Sequence, residues 1–214
     1  MSRLSEIALE FLGRGGKKLR PRLCRAVFEA CGGKGDLSPI CEAVECFHKA
    51  SLIHDDIQDA DEERYGRPTV WKEHGVALAI AAGDWLVAHG YQLIARSGFR
   101  KVTRMLAATV DSHVLLCEGQ GADLLGEPGK VNGDYLETCA RKTGEAFALA
   151  ARLGALAAEA EDEKYRRFGL TYGILFQIND DLADGVTDPA LPGLKEKYER
   201  ETAVYSAECA LGVW

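Results

Sequence analysis

Apolar residues recur at three- and four-residue spacing over 40–57, 76–94, 102–116, 135–158 and 165–182. That period turns one stripe of a helix toward a core. Alternating runs of β-branched residues, the mark of strands, are nearly absent. Clusters of Gly, Pro and small polar residues interrupt the pattern at 31–39, 64–69, 97–99, 126–133 and 187–193. Asp36 or Ser38 is placed to cap the helix after the first break, and Asn132 the helix after the fourth. The pattern predicts an all-α fold of about seven or more helices, a single-domain helical bundle over residues 1–214.

Composition narrows the classes. The chain has 214 residues, 47% of them hydrophobic, which is enough for a substantial core. The formal net charge of −7 disfavours a nucleic-acid partner, which calls for a basic face. Seven cysteines are scattered without a CxxC pair, the usage expected of a reducing cytoplasm rather than of a disulfide framework or zinc site. The longest apolar stretch, 75–95, contains Asp84 and His89 and reads as a buried helix, not an integral membrane segment. The N-terminus mixes charged and apolar residues and has no uninterrupted signal-peptide core.

Two acidic clusters stand out. Asp55, Asp56 and Asp59 fall within about one helical turn, with Asp55 and Asp59 on one face and Asp56 flanking it. Asp180, Asp181 and Asp184 repeat the spacing far along the chain. Carboxylates crowded this closely repel one another, so a cation is expected to relieve them. Hard oxygen donors suit Mg²⁺, which keeps several waters and shares phosphate oxygens. One such cluster alone reads more readily as an exposed acidic helix face. Each of these, however, begins where an apolar run ends, at 50–53 and at 174–178. That arrangement looks like the mouth of a central apolar cavity, shaped for a molecule with an apolar tail below and a phosphate-bearing head above.

A diphosphate also requires cations and amide donors. The segment Gly15-Gly16-Lys17-Lys18-Leu19-Arg20-Pro21 offers both, with Lys17 and Arg20 expected one helical turn apart. A solvated basic helix start is the alternative reading. Arg64 follows the first acidic cluster, and Lys142-Thr143 lies within the 135–158 helix. His48 precedes Asp55 by two turns on the same face; a histidine there is otherwise a hydrogen-bonded core residue.

Taken in order, GGKKLRP, HKASLIHDDIQD, RYGRPT, AGD, GQGAD, KTG and FQINDD resemble the motifs of the trans-isoprenyl (polyprenyl) diphosphate synthases, of the class I isoprenoid synthase fold, from about Gly15 to Asp184. The resemblance implies an α-helical, barrel-like bundle, a homodimer, and a transferase that condenses an allylic prenyl diphosphate with isopentenyl diphosphate. It implies that Asp55, Asp56, Asp59, Asp180, Asp181 and Asp184 bridge Mg²⁺. It assigns Arg64, Lys142, Thr143 and Gln177 to the allylic substrate, and Lys17, Arg20 and His48 to isopentenyl diphosphate. If the Asp55 helix lines the cavity, Ser51, Ala50 and Phe47 point down the growing tail; the small pair at Ala50 and Ser51 then implies a product of geranylgeranyl diphosphate or longer, with Phe47 as floor. Two departures are visible. Arg64 is followed by Tyr65, where the family usually has a second arginine. After Asp184 the usual lysine-bearing segment is missing, so residues after Asp184 and the terminal helices are expected to be omitted from this sequence. A class I cyclase-like enzyme on the same scaffold and a non-catalytic subunit of a heteromeric synthase remain as alternatives.

Overall fold

A computed structural model describes residues 2–126 and 135–211. The described residues are dominated by helices, and the chain divides into two compact units.

The first unit comprises Met1–Arg22 and Asp36–Gly98. It contains α1 (Arg3–Gly13), the start of α2 (Leu19–Ala30), α3 (Ser38–Gln58), a hairpin of β1 (Glu63–Arg64) and β2 (Arg67–Pro68), α4 (Val70–His74) and α5 (Val76–Ala95). Its core gathers Ile7, Ala8 and Phe11 of α1 with Cys46, Ala50 and Ile53 of α3 and Ala79, Ala82 and Leu86 of α5. Helices α3 and α5 run antiparallel, because Phe47 lies over Gly90 while His54 lies over Gly83. A Cβ at either glycine would overlap the facing ring, so the two glycines admit the two knobs. The hairpin turns on Tyr65 (φ 56°) and Gly66 (φ 71°), the two positive φ values that a two-residue loop of matching twist needs.

The second unit comprises Leu23–Gly35 and Phe99–Trp214. After the rest of α2 come α6 (Val102–Leu125), α7 (Tyr135–Cys139), a π-helical turn (Ala140–Gly144), α8 (Glu145–Ala157), α9 (Glu163–Ala183) and α10 (Leu191–Glu208). Helix α8 is nearly all buried, as its Ala- and Leu-rich sequence requires. Past Asp184 the chain turns and enters α10, whose Leu191 is buried beside Ile174 and Ile178 of α9.

Several expectations need correction. The N-cap of α3 is Leu37; Asp36 instead accepts a 2.9 Å bond from the Ser38 N–H, one residue into the helix. Asn132 lies outside the described residues. Helix α6 continues past the expected end at 116 to Leu125, because Gly119 serves close packing rather than a break: a Cβ there would overlap the Lys142 backbone. The expected 135–158 helix carries a π turn in its middle, a local irregularity that periodicity alone does not reveal.

Candidate active site

The two acidic clusters share one local construction, each within its own unit. Helix α3 ends at Gln58 with Asp59 as its C-cap; α9 ends at Ala183 with Asp184 as its C-cap. The next residue has a left-handed backbone in both, Ala60 at φ 56° and Gly185 at φ 86°. Each stop is closed by the same bonds: Asp59 N–H to Asp55 C=O (2.8 Å) and Asp61 N–H to Asp56 C=O (2.9 Å); Asp184 N–H to Asp180 C=O (2.9 Å) and Val186 N–H to Asp181 C=O (3.0 Å). The carboxylates therefore stand at the negative pole of the helix dipole, where like charge is unfavourable and a cation is attracted.

Within each cluster the middle aspartate differs from its neighbours. Asp55 is half-buried and Asp59 exposed, whereas Asp56 is fully buried. Asp56 falls on the inward stripe of α3 with Cys46 and Ile53, and it pairs with Arg64 of β1. Burial pushes its carboxyl above the usual range although Arg64 opposes this, and its second oxygen has no hydrogen-bond partner among the described residues. Arg64 also reaches Asp61 at 3.3 Å. In the second cluster Asp180 and Asp184 are exposed, and half-buried Asp181 is held by two donors. Tyr135 O–H donates to one oxygen at 2.5 Å and Gln177 Nε2 to the other at 2.8 Å. Burial, then the carboxylate, keep the Tyr135 phenol protonated. Gln177 in turn accepts from Thr143 Oγ1 at 2.6 Å. Thr143 and Lys142 sit in the π turn, and Lys142 pairs with Asp123 of α6. Gln177, Thr143 and Asp181 thus form one network, with Lys142 adjacent on the turn.

The basic segment differs from expectation. Lys17 and Arg20 do not lie a turn apart on one helix, because α2 starts only at Leu19. Gly16 (φ 106°) and Lys18 (φ 51°) hold the chain in a loop that presents Lys17 to solvent. Arg20 is half-buried, with its Nη1 3.4 Å from His48 Nε2. Burial, then Arg20, Lys49 and Arg64, draw the His48 imidazole down to about 2, so it is neutral across ordinary pH. Burial lowers His113 to about 4. Both folded values lie below the ordinary 6.5, so each neutral ring contributes stability that is lost as pH falls below 6.5. At pH 5 the expected loss is at most about 2 kcal/mol per histidine. His48→Gln is expected to flatten the acid limb of a denaturant-midpoint profile between pH 7 and 5; an unchanged slope would count against this assignment.

Of the three residues expected to point down the tail, Ala50 is the fully buried one. It is buried in the core with Cys46 and Ile53, because five residues advance a helix about 140° from the Asp55 face whereas four advance it only about 40°. Ser51 is exposed and its hydroxyl returns to the His48 carbonyl at 2.9 Å. Phe47 is half-buried, edge-on to Tyr91 with ring centroids 5.4 Å apart.

Three residues were not singled out by their chemistry. Lys49 is fully buried and Glu45 nearly so, both on the inward side of α3; a lysine between Cys46 and Ile53 of an apolar stripe was the available signal. Tyr135, which binds Asp181, gave none beyond opening a helix.

The chain matches the family description "Polyprenyl synthetase" over residues 1–195. It belongs to the polyprenyl synthetase family. Among curated relatives, a short chain isoprenyl diphosphate synthase of Methanothermobacter thermautotrophicus is 38% identical over 181 residues, covering 81% of this chain and 56% of the relative. A geranylgeranyl diphosphate synthase of Mycobacterium tuberculosis is 38% identical over 192 residues, covering 85% and 54%. The chain thus spans about half the length of these relatives. Among solved structures, a geranyltranstransferase of Thermotoga maritima superimposes with a TM-score of 0.82 at 26% identity, covering 97% of this chain and 82% of that one. The isoprenoid-synthase neighbours bear out the all-α fold expected of a polyprenyl synthetase. No described helix is long and apolar enough to cross a membrane.

Proposed function

We propose that the chain is a prenyltransferase that condenses an allylic prenyl diphosphate with isopentenyl diphosphate, with geranylgeranyl diphosphate or a longer chain as product. The observation that carries this reading is the repeated helix stop. Two aspartate clusters end their helices alike, each with its first and third residues at least partly exposed and its second carboxylate held by the fold. The names of the relatives, short chain isoprenyl and geranylgeranyl diphosphate synthases, support the same substrate class.

The donor set fits Mg²⁺. Among the described residues no three His, Cys, Asp or Glu side chains converge into a closed metal cage. Mg²⁺ does not require one, since it favours one or two carboxylates completed by phosphate and water. Asp55 and Asp59 at the end of α3 would hold it in the first unit, and Asp180 and Asp184 at the end of α9 would hold it in the second. Bound there, it supplies charge neutralisation for the diphosphate leaving group. The protein's own residues do the rest. Lys142, with Thr143 and Gln177 beside it, and Arg64 meet the allylic diphosphate and stabilise the charge that develops as its C–O bond breaks. Lys17, Arg20 and neutral His48 receive isopentenyl diphosphate, His48 as a hydrogen-bonding group and not as a cation. The isopentenyl double bond attacks the allylic carbon, and the released pyrophosphate takes the proton, so no side-chain nucleophile is required. A homodimer in the cytoplasm completes the proposal. Incubation with labelled isopentenyl diphosphate and each allylic diphosphate tests it: label in linear products supports elongation, whereas cyclic unlabelled products or no turnover would overturn it.

Phe47 governs product length in this reading, since Ala50 faces the core. Phe47→Ala is expected to shift products by about one isoprene unit, comparable to one helical turn of depth. Chromatographic sizing of the products checks this; an unchanged distribution from a folded, active variant would remove Phe47 from the account.

A further inference from the structure

Lys49 is the most deeply placed cation of the first unit. It lies on the inward stripe of α3 and has no exposed surface. A buried ammonium is costly unless its donors are used, and here two are. Nζ donates to the Arg14 carbonyl at 2.6 Å and to the Gly15 carbonyl at 2.8 Å. Its remaining surroundings are aromatic: the Tyr65 ring centroid is 4.1 Å away and the Phe11 centroid 5.4 Å. Burial draws the Lys49 ammonium down to about 8; Glu45, one turn earlier on α3, opposes this, while Lys18, Arg64 and Arg14 add to it.

These contacts fix one short piece of chain. Arg14, at its start, is buried and anchored through its side chain to Glu10 (2.8 Å), Glu73 (3.1 Å) and the Pro68 carbonyl (2.7 Å). Tyr65 presses on the piece from the hairpin: a Cβ at Gly15 would lie 3.1 Å from its ring, and one at Gly16 3.2 Å from its hydroxyl. Two successive glycines would otherwise leave this loop conformationally free. Among the described residues all peptide bonds are trans, and in a trans peptide the N–H points opposite to the C=O. With the carbonyls of Arg14 and Gly15 drawn to Lys49, the amides of Gly15 and Gly16 face the other way. Both glycines are exposed, and exposed Lys17 follows directly. Consecutive amides turned the same way beside a lysine are the arrangement that binds anions in such loops.

We infer that Lys49 is a positioning residue for diphosphate binding: its buried ammonium, clamped by the Tyr65 ring, locks the Arg14–Gly16 backbone so that the Gly15 and Gly16 amides and Lys17 meet the diphosphate of isopentenyl diphosphate. The assignment of that substrate rests on the function proposed above. The locked loop itself does not. Tyr65 therefore serves here by stacking, although it carries no positive charge.

The test is titration of the full chain with inorganic pyrophosphate in EDTA, where the aspartate clusters hold no metal, together with steady-state kinetics. Lys49→Met is expected to weaken metal-free pyrophosphate binding about tenfold, the loss of one preorganised set of charge-assisted donors. It should raise KM for isopentenyl diphosphate by a similar factor, with KM for the allylic substrate and kcat little changed, a split that general unfolding would not produce. Tyr65→Leu, at a half-open surface position, is expected to weaken binding about threefold, in keeping with an aromatic contact, and it decides the matter if Lys49→Met fails to fold. Unchanged pyrophosphate affinity in the folded variants, or no binding by the wild type, would overturn the inference. Absence of prenyl product from the wild type would instead count against the proposed reaction, with the pyrophosphate titration still deciding the role of Lys49.

Discussion

Asp55→Ala and Asp180→Ala are each expected to lower Mg²⁺-dependent turnover of an allylic diphosphate with isopentenyl diphosphate by at least about a thousandfold, the scale of losing a principal electrostatic contribution to the leaving group. Both carboxylates stand at the C-terminal ends of their helices, at the negative pole of the dipole, and neither is part of a buried core. Removing either relieves repulsion with the aspartate one turn later, so the folded state should persist or melt slightly higher. Thermal melts beside turnover assays separate the two effects, and excess EDTA should silence the wild type to the level of the variants. Full turnover in either alanine variant would remove that cluster from the active site.

The second large effect is expected in stability. Asp56 has no exposed surface, and its carboxylate is paired with Arg64. Arg64→Met leaves a buried carboxylate without its cation, which costs about 3–5 kcal/mol. For a chain of this size that lowers the melting temperature by roughly 10 °C. The sign of the pH dependence follows from the direction of the Asp56 shift. Its folded pKa is already raised by burial, so the folded state favours the protonated acid. Stability contributed by that form is present at low pH and is lost as pH rises through the folded pKa. Without Arg64 the pKa rises further, so the deficit of Arg64→Met should be smaller at pH 5 than at pH 8. The double variant Asp56→Asn with Arg64→Met, which carries no orphan charge, should recover most of the loss. A melting point for Arg64→Met within about 2 °C of wild type at pH 8 would show the pair to be energetically neutral.

Much of this protein is legible in its amino-acid order alone. The three- and four-residue apolar period marks α3, α5 and α9 to within a residue or two of their ends, because each is a long helix that keeps the period along its whole length. The two aspartate clusters are visible because carboxylates at one helical spacing, beside apolar runs, are costly without a cation. Tertiary structure decided the rest. It separated Asp56 from Asp55 and Asp59, since a single turn of helix carries both an outward and an inward face. It turned Ala50 into the core and laid Phe47 against Gly90, contacts fixed by the partner helix α5 and not by α3 itself. It brought Tyr135 to Asp181 and Thr143 to Gln177 across separations of 46 and 34 residues. It also set Lys49 against the Tyr65 ring, holding the glycine loop. Periodicity reports which residues share a face of one helix; only packing of one element on another reports what that face meets.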